Sequence, residues 1–212
     1  MKTFTPKISV IVPTLNDEKY IEKTIQSFIS QEYANKELLI IDGLSSDNTL
    51  KIIKKYHKHI SYWCSQKDKG ISDAFNKGIK KATGDYLYFM GAGDTFVDSH
   101  VLNNMMDGVN KDNDWLVSGQ IRRVSKEGQE LYITQNRFNK WQLLYKMAIP
   151  HQGLFTNKLY FQKYGLFDTS CKYAMDYDLL LRAYSDFPKL IQKDLIVANW
   201  VEGGVGQDNT DK

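Results

Sequence analysis

The stretch Ile8-Ser9-Val10-Ile11-Val12-Pro13-Thr14 decides the fold. Ile8, Val10, Ile11 and Val12 are β-branched and mark a strand, which Pro13 is expected to stop. Thr14-Leu15-Asn16-Asp17 then reads as a loop closing on a helix N-cap. Behind it Tyr20, Ile21, Thr24, Ile25, Phe28 and Ile29 recur at helical spacing and form one apolar stripe.

Downstream the same unit returns. Glu37 to Ile41 is a second apolar strand, ending at Asp42-Gly43 and followed by Leu44-Ser45-Ser46-Asp47-Asn48-Thr49, a turn rich in N-cap residues. Leu50, Ile53 and Tyr56 continue as a helix, and Ile60 to Cys64 is a third strand. Ser72 is placed to cap a helix bearing Phe75, Ile79 and Ala82, which Gly84 stops. Asp85 to Met90 is a fourth strand, running into Gly91-Ala92-Gly93-Asp94. Strands alternating with helices imply βαβ units: an α/β fold with a Rossmann-like, mostly parallel central sheet flanked by helices. Ligands of such sheets collect at the carboxyl ends of the strands. Thr14, Asp42 and Asp94 all stand just past strand ends, so one rim should carry all three.

Beyond Asp94 the rhythm changes to a smaller, mixed part. Asp98 to Val109 reads as a helix, and Trp115 to Val124 as a strand pair bent near Gly119. Ser125 to Gln129 is a hairpin turn into Glu130 to Thr134. Asn139 to Met147 reads as helical, Pro150 to Phe155 as extended, and Asn157 to Tyr164 as a helix ended by Gly165. Met175 to Tyr184 is a helix, and Leu190 to Val201 one or more strands. No linker or repeat divides the chain. Residues 1–212 read as one domain, with a nucleotide-facing half over about 1–95 and a second half over about 96–212.

Composition narrows the function. At 212 residues, 42% hydrophobic and 25% charged, the chain is long and apolar enough for an ordinary core. Its longest apolar runs fall far short of the roughly 20 residues of a spanning helix. The opening Met1 to Lys7 shows no apolar signal region, so a cytoplasmic location is expected. Cys64 and Cys171 are too few for a disulfide framework, and His57, His59 and Cys64 read as a solvated helix end rather than a metal cluster. A net charge of +3 suits phosphate handling and does not indicate a nucleic-acid partner. Neither a phosphate-binding G-x-x-x-x-G-K-[ST] loop nor a dinucleotide G-x-G-x-x-G follows the first strand.

Several side chains carry two readings. Asp42 is either a turn-forming Asp-Gly residue or a carboxylate that accepts hydrogen bonds from a base. Asp94 is a turn residue or a hard-cation ligand beside glycines that let a large ligand approach. Asp176 opens an apolar helix, as a cap or as a general base. Asp178, two residues on, points to a different helix face. His151 and Gln152 are a buried hydrogen-bonded pair or reach sugar hydroxyls or phosphate. Trp141, Tyr145 and Trp200 could stack on sugar faces.

Taken in order, these segments resemble a family 2 glycosyltransferase of the GT-A fold. The resemblance rests on Ile8 to Asn16, Glu37 to Thr49 and Asp68-Lys69-Gly70-Ile71-Ser72-Asp73-Ala74-Phe75-Asn76-Lys77-Gly78. It extends through Ala82 to Leu87, Asp94, His151-Gln152, Gly165-Leu166-Phe167-Asp168 and Asp176 to Arg182. The similarity is greatest to the bacterial branch that builds exopolysaccharide or lipopolysaccharide. It implies an inverting hexosyltransferase-type enzyme that uses a nucleotide-diphosphate sugar, with a UDP-sugar the first choice. Asp42 would contact the base beside Pro13 and Thr14, and Lys69 and Asp73 would line the donor pocket. Asp94 would hold Mn²⁺ or Mg²⁺ on the diphosphate. Asp176 would deprotonate the acceptor hydroxyl, with His151, Gln152 and Asp178 on the acceptor side or behind it. A lipid-linked acceptor would imply peripheral contact with the inner face of the cytoplasmic membrane, since the chain ends soon after Gly203-Gly204-Val205-Gly206. Two positions depart from the pattern: Gly93 stands where an acid is expected before Asp94, and Met175 where a Glu is expected before Asp176. The alternative reading is therefore a nucleotide-sugar-binding or scaffold homologue with weakened or lost transfer.

Overall fold

β1 (Ile8–Thr14) runs through the middle of the sheet, and its residues Ile8 to Val12 are all buried, as a strand covered on both faces must be. The computed structural model describes residues 5–110, 112–135, 137–171 and 173–202, so the Gly203-Gly204-Val205-Gly206 run lies outside the described residues. β2 (Lys36–Asp42) pairs parallel to β1 from Ile8↔Lys36 to Thr14↔Asp42. β3 (Tyr62–Ser65) lies parallel on the far side of β2, and β4 (Tyr86–Phe89) parallel on the other flank of β1. Pro13 does not end β1: it pairs with Ile41, at a level where β4 has already stopped opposite Ile11. A missing N–H costs nothing on a flank without a partner strand.

Alternate residues of β1 face two cores. Ile8, Val10 and Val12 pack under α1 (Ile21–Ile29), α2 (Thr49–Lys55) and the short α4 (Val101–Met106). Ile11 packs with α3 (Ile71–Lys81), α5 (Lys158–Tyr164) and α6 (Met175–Arg182) on the opposite face. The result is a sheet between two helical layers, the layered α/β architecture expected from the alternating strands and helices.

Past β4 the sheet becomes mixed. β8 (Leu154–Asn157) is antiparallel to β4, and β6 (Leu116–Val124) antiparallel to β8. β9 (Leu190–Val201) runs parallel to β6, and the two-residue β5 (Thr95–Phe96) closes the order β3-β2-β1-β4-β8-β6-β9-β5. β7 (Glu130–Ile133) hangs from β6 through the Ser125 to Gln129 hairpin. The expected strand pair over Trp115 to Val124 is one strand instead, with its register against β9 shifting on both sides of Gln120. A Cβ on the adjacent Gly119 would lie 2.5 Å from Val197 Cγ2 and 2.8 Å from the Leu195 carbonyl, so the bend needs a glycine.

Several helices differ from expectation: the one expected over Asp98 to Val109 is the shorter α4, and α6 ends at Arg182 rather than Tyr184. Asp17 takes its carboxylate into the loop, accepting from Thr14 Oγ1 at 2.9 Å and Leu15 N at 3.0 Å, and α1 starts four residues later. Gly70, at φ +112°, is the N-cap of α3, and Ser72 lies inside the helix. Residues 139–147 form only a 3-10 turn, Lys140–Leu144, capped by Asn139, and a second 3-10 turn, His151–Gly153, precedes β8.

A buried carboxylate secures the other end of the sheet. Glu37 accepts from Lys7 Nζ at 2.7 Å, Ser9 Oγ at 2.5 Å and the Thr83 N–H and hydroxyl at 2.6 and 2.8 Å. Burial works to raise its pKa, but these donors outweigh it and hold the carboxyl at about 2.

Candidate active site

The carboxyl ends of β1 and β2 meet side by side: Thr14 pairs with Asp42, and the Gly43 N–H donates to the Thr14 carbonyl at 2.8 Å. Pro13 is half-buried beside them and Thr14 is buried. Asp42 is fully buried and richly satisfied. Its Oδ2 accepts from Ser65 Oγ at 2.5 Å and from the Leu44 and Ser45 N–H groups at 3.2 and 3.0 Å, and its Oδ1 accepts from Ser45 Oγ at 2.5 Å. Oδ1, with one bond accepted, is the oxygen that keeps acceptor capacity for a further donor. The loops above are knitted together, with Asn16 Oδ1 accepting from Ser46 N at 2.9 Å and Ser45 Oγ accepting from Asn16 N at 2.8 Å.

β4 delivers Asp94 to the same end of the sheet. The residue is 4% exposed, and each oxygen accepts one backbone N–H: Gly91 at 3.1 Å on Oδ2, Val201 at 3.1 Å on Oδ1. Burial pushes the carboxyl up to about 7 against those two bonds, which favour the ionised form. Thr24 on α1 holds the turn from beneath, donating to the Asp94 carbonyl at 2.9 Å and accepting from Gly93 N at 2.8 Å. Gly93 sits at φ +104°, a conformation that side chains strain to adopt. The missing acid at this position is therefore built into the backbone of the turn.

Lys69 and Asp73 flank the start of α3. The exposed Lys69 donates its N–H to Asp73 Oδ2 at 3.1 Å, and Asp73 pairs with Lys77 at 3.3 Å. Burial would raise the Asp73 carboxyl, but the Lys69 N–H and the Lys77 ammonium lower it. One residue away, Ser72 Oγ donates to Met175 Sδ at 2.7 Å. That contact sets the first turn of α3 against the first turn of α6, so the start of α3 and Asp176 adjoin.

Asp176 is half-buried, and its Oδ1 accepts from Tyr177 N at 2.9 Å. It lines a small cavity together with His151, Phe89, Phe167 and Leu179. The His151 ring stacks on Phe89 at 5.4 Å between centroids and meets Phe167 edge-on at 5.9 Å. Its Nε2 is buried with no hydrogen-bond partner among the described residues. Burial lowers the imidazole pKa, and the charge of Asp176 opposes that shift. Gln152 meets the core through its carbonyl, which accepts from Tyr88 Oη at 2.5 Å. Asp178 pairs with Arg182 at 3.1 Å, and Arg182 donates to the Tyr164 and Leu166 carbonyls at 2.7 and 2.8 Å, which ties α6 to the exit of α5.

Three contributors escape sequence reasoning. The Val201 N–H comes from the far end of the chain and leaves no side-chain signal. Thr24 counts in the sequence as one of an apolar stripe, and its polarity was the available clue. Asp68 stands over the Asp42-Gly43 turn, where a Cβ on Gly43 would lie 2.7 Å from Asp68 Oδ2.

Comparison with known proteins gives the family and the fold. The family model described as glycosyl transferase family 2 matches residues 9–175, most of the chain. An uncharacterized glycosyltransferase of Rickettsia typhi is 30% identical over 188 residues, covering 84% of this chain and 58% of that protein. A PGL/p-HBAD biosynthesis glycosyltransferase of Mycobacterium tuberculosis is 28% identical over 215 residues, covering 98% and 82%. Among solved structures, S. aureus TarS 1-349 in complex with UDP-GlcNAc superposes with a TM-score of 0.77 at 20% identity, over 93% of this chain and 59% of that one. A mannosyltransferase of Pyrobaculum calidifontis in complex with GDP-Man and Mn²⁺ gives 0.73 at 20%, over 96% and 59%. The chain thus spans about three-fifths of the Rickettsia relative and of these two structures, whose likeness is one of fold. On the match of residues 9–175, the chain belongs to glycosyl transferase family 2.

Proposed function

We propose that the chain moves a sugar from a nucleotide-diphosphate sugar, a UDP-sugar in the first instance, to a hydroxyl of a glycan or lipid-linked acceptor in bacterial cell-surface polysaccharide synthesis. The observation that carries this reading is that α3, which packs on β1 and β2 whose ends carry Thr14 and Asp42, is bonded through Ser72 to Met175 at the start of the helix that bears Asp176. The similar proteins lend support: TarS was solved with UDP-GlcNAc, and the mycobacterial protein is named for PGL/p-HBAD biosynthesis.

In this reading Thr14 and Pro13 form the floor beside the base, Asp42 orders the Leu44–Ser45 turn around it, and Lys69 and Asp73 stand at the entrance. Asp176 takes the proton from the acceptor hydroxyl. The freed oxygen attacks the anomeric carbon from the face opposite the diphosphate, the bond to the diphosphate oxygen breaks, and the configuration inverts. Phe89 and Phe167 keep water away from this side of the pocket. Asp178 holds α6 in place through Arg182.

The residues present fit a hard divalent cation. Asp94 spends only one acceptor site of each oxygen on a backbone N–H, which leaves lone pairs for Mn²⁺ or Mg²⁺. Such a cation needs just one or two carboxylates when substrate phosphates and water complete its shell. When bound, it offsets charge developing on the departing diphosphate. The loss of an acid at Gly93 keeps the weakened-transferase alternative in view. Incubation with labelled UDP-sugars, Mn²⁺ and bacterial lipid-linked acceptors separates the two: label should enter an acceptor with inverted anomeric configuration and fail to do so with Asp176→Ala. Donor binding without incorporation into any acceptor would favour the scaffold.

A further inference from the structure

The turn at Lys140–Leu144 leaves large apolar side chains in water. Side chains three apart eclipse in a 3-10 turn, so Trp141 and Leu144 stand one above the other with Tyr145 next to them. They are 61%, 58% and 70% exposed, while Leu143 between them turns inward and is buried. The turn is held firmly. Asn139 Oδ1 accepts from Trp141 N at 3.1 Å, Gln142 Oε1 accepts from Asn139 N at 3.0 Å, and Tyr177 on α6 donates to the Leu143 carbonyl at 2.5 Å.

Cations surround this patch. Lys140 Nζ lies 5.9 Å from the Trp141 ring and 5.5 Å from the Tyr184 ring, and Lys146 Nζ lies 6.0 Å from the Tyr145 ring. With the exposed Arg137, residues 137–147 carry three cations and no acid. Large apolar side chains exposed together and rimmed by polar groups mark an interaction site. Trp and Tyr, apolar in body and polar at the tip, suit the boundary between headgroups and acyl chains, and nearby lysines suit anionic headgroups.

We propose that this turn docks the protein on an anionic lipid bilayer, with Trp141, Leu144 and Tyr145 entering the headgroup boundary and Lys140, Lys146 and Arg137 meeting the lipid phosphates. A second copy of the chain is the poorer occupant, since a two-fold contact sets the same patch against itself and would oppose like cations. A sugar is also a poorer fit, because Lys140 already covers Trp141 and Leu144 adds aliphatic rather than flat area. α6 carries both Tyr177, which anchors the turn, and Asp176, so docking would bring the acceptor side of the site to the lipid surface. Vesicle binding needs neither donor nor acceptor, and the inference therefore stands or falls separately from the transfer reaction.

Sedimentation of the full chain with vesicles tests it. Binding should appear with phosphatidylglycerol mixed into phosphatidylcholine, weaken with added salt, and be much poorer on phosphatidylcholine alone. The double variants Trp141→Ser/Tyr145→Ser and Lys140→Glu/Lys146→Glu should each lower partitioning about tenfold or more, with an unchanged Tm. Brominated acyl chains should quench wild-type tryptophan emission more than that of Trp141→Phe. The proposal is overturned by absence of binding to phosphatidylglycerol vesicles, by equal binding to both vesicle types, or by a loss no greater than that of the exposed control Lys58→Glu. A dimer that dissociates in the double variants without change in vesicle binding would assign the patch to self-association and overturn it as well.

Discussion

Glu37 shows how a carboxylate can lie inside a sheet margin: four donors converge on it and no acceptor capacity is wasted. Its pKa of about 2 lies below the ordinary 4.5, so its contribution is fully present above pH 4.5 and is lost as pH falls toward 2. The difference corresponds to about 3 kcal/mol. Glu37→Gln should therefore lower stability at neutral pH and flatten the acid limb of the unfolding profile, which urea titrations at several pH values would show. Gly93 makes the opposite point. Gly93→Asp would restore the acid of the family pattern, yet at φ +104° any side chain is strained, and a loss of at least about 1–2 kcal/mol is expected. Equilibrium unfolding decides it: unchanged or higher stability would mean that the turn adopts another conformation.

At the level of elements, the first half was legible because its strands are continuous β-branched or apolar runs and its helices carry clear stripes. β9 was legible as well, although Gln192-Lys193-Asp194 interrupts its apolar run. The strands that lengthened or merged, β1 past Pro13 and β6 through Gly119, did so because partner strands that sequence does not display settled the pairing. The 3-10 turn at Lys140–Leu144, entered through the Asn139 capping box, replaced an expected helix because the Tyr177 hydroxyl takes the Leu143 carbonyl at its end. The rim of Thr14 and Asp42 followed from strand ends alone, whereas the partner of Asp94 did not, because the Val201 N–H lies 107 residues away. That N–H points at Asp94, and Val201→Pro removes it. Leaving a buried acceptor half-satisfied costs about 1–3 kcal/mol. We expect a lower Tm and weaker metal-dependent nucleotide binding, both measurable by thermal unfolding with and without ligand.

Across the whole molecule, a parallel half that ends in a polar rim is joined to a mixed half that supplies α6, and α3 meets α6 at Ser72 and Met175, the junction at which we propose that donor and acceptor come together. The most direct test of that account is calorimetric titration of UDP with Mn²⁺ into wild type, Asp94→Ala and Asp176→Ala. Binding should be metal-dependent in wild type, weaken by about tenfold or more in Asp94→Ala, a loss of at least roughly 1.4 kcal/mol, and persist in Asp176→Ala, whose defect belongs to turnover. Nucleotide binding indifferent to Asp94→Ala, or abolished by Asp176→Ala alone, would contradict the assignment of the two carboxylates to opposite sides of the reaction.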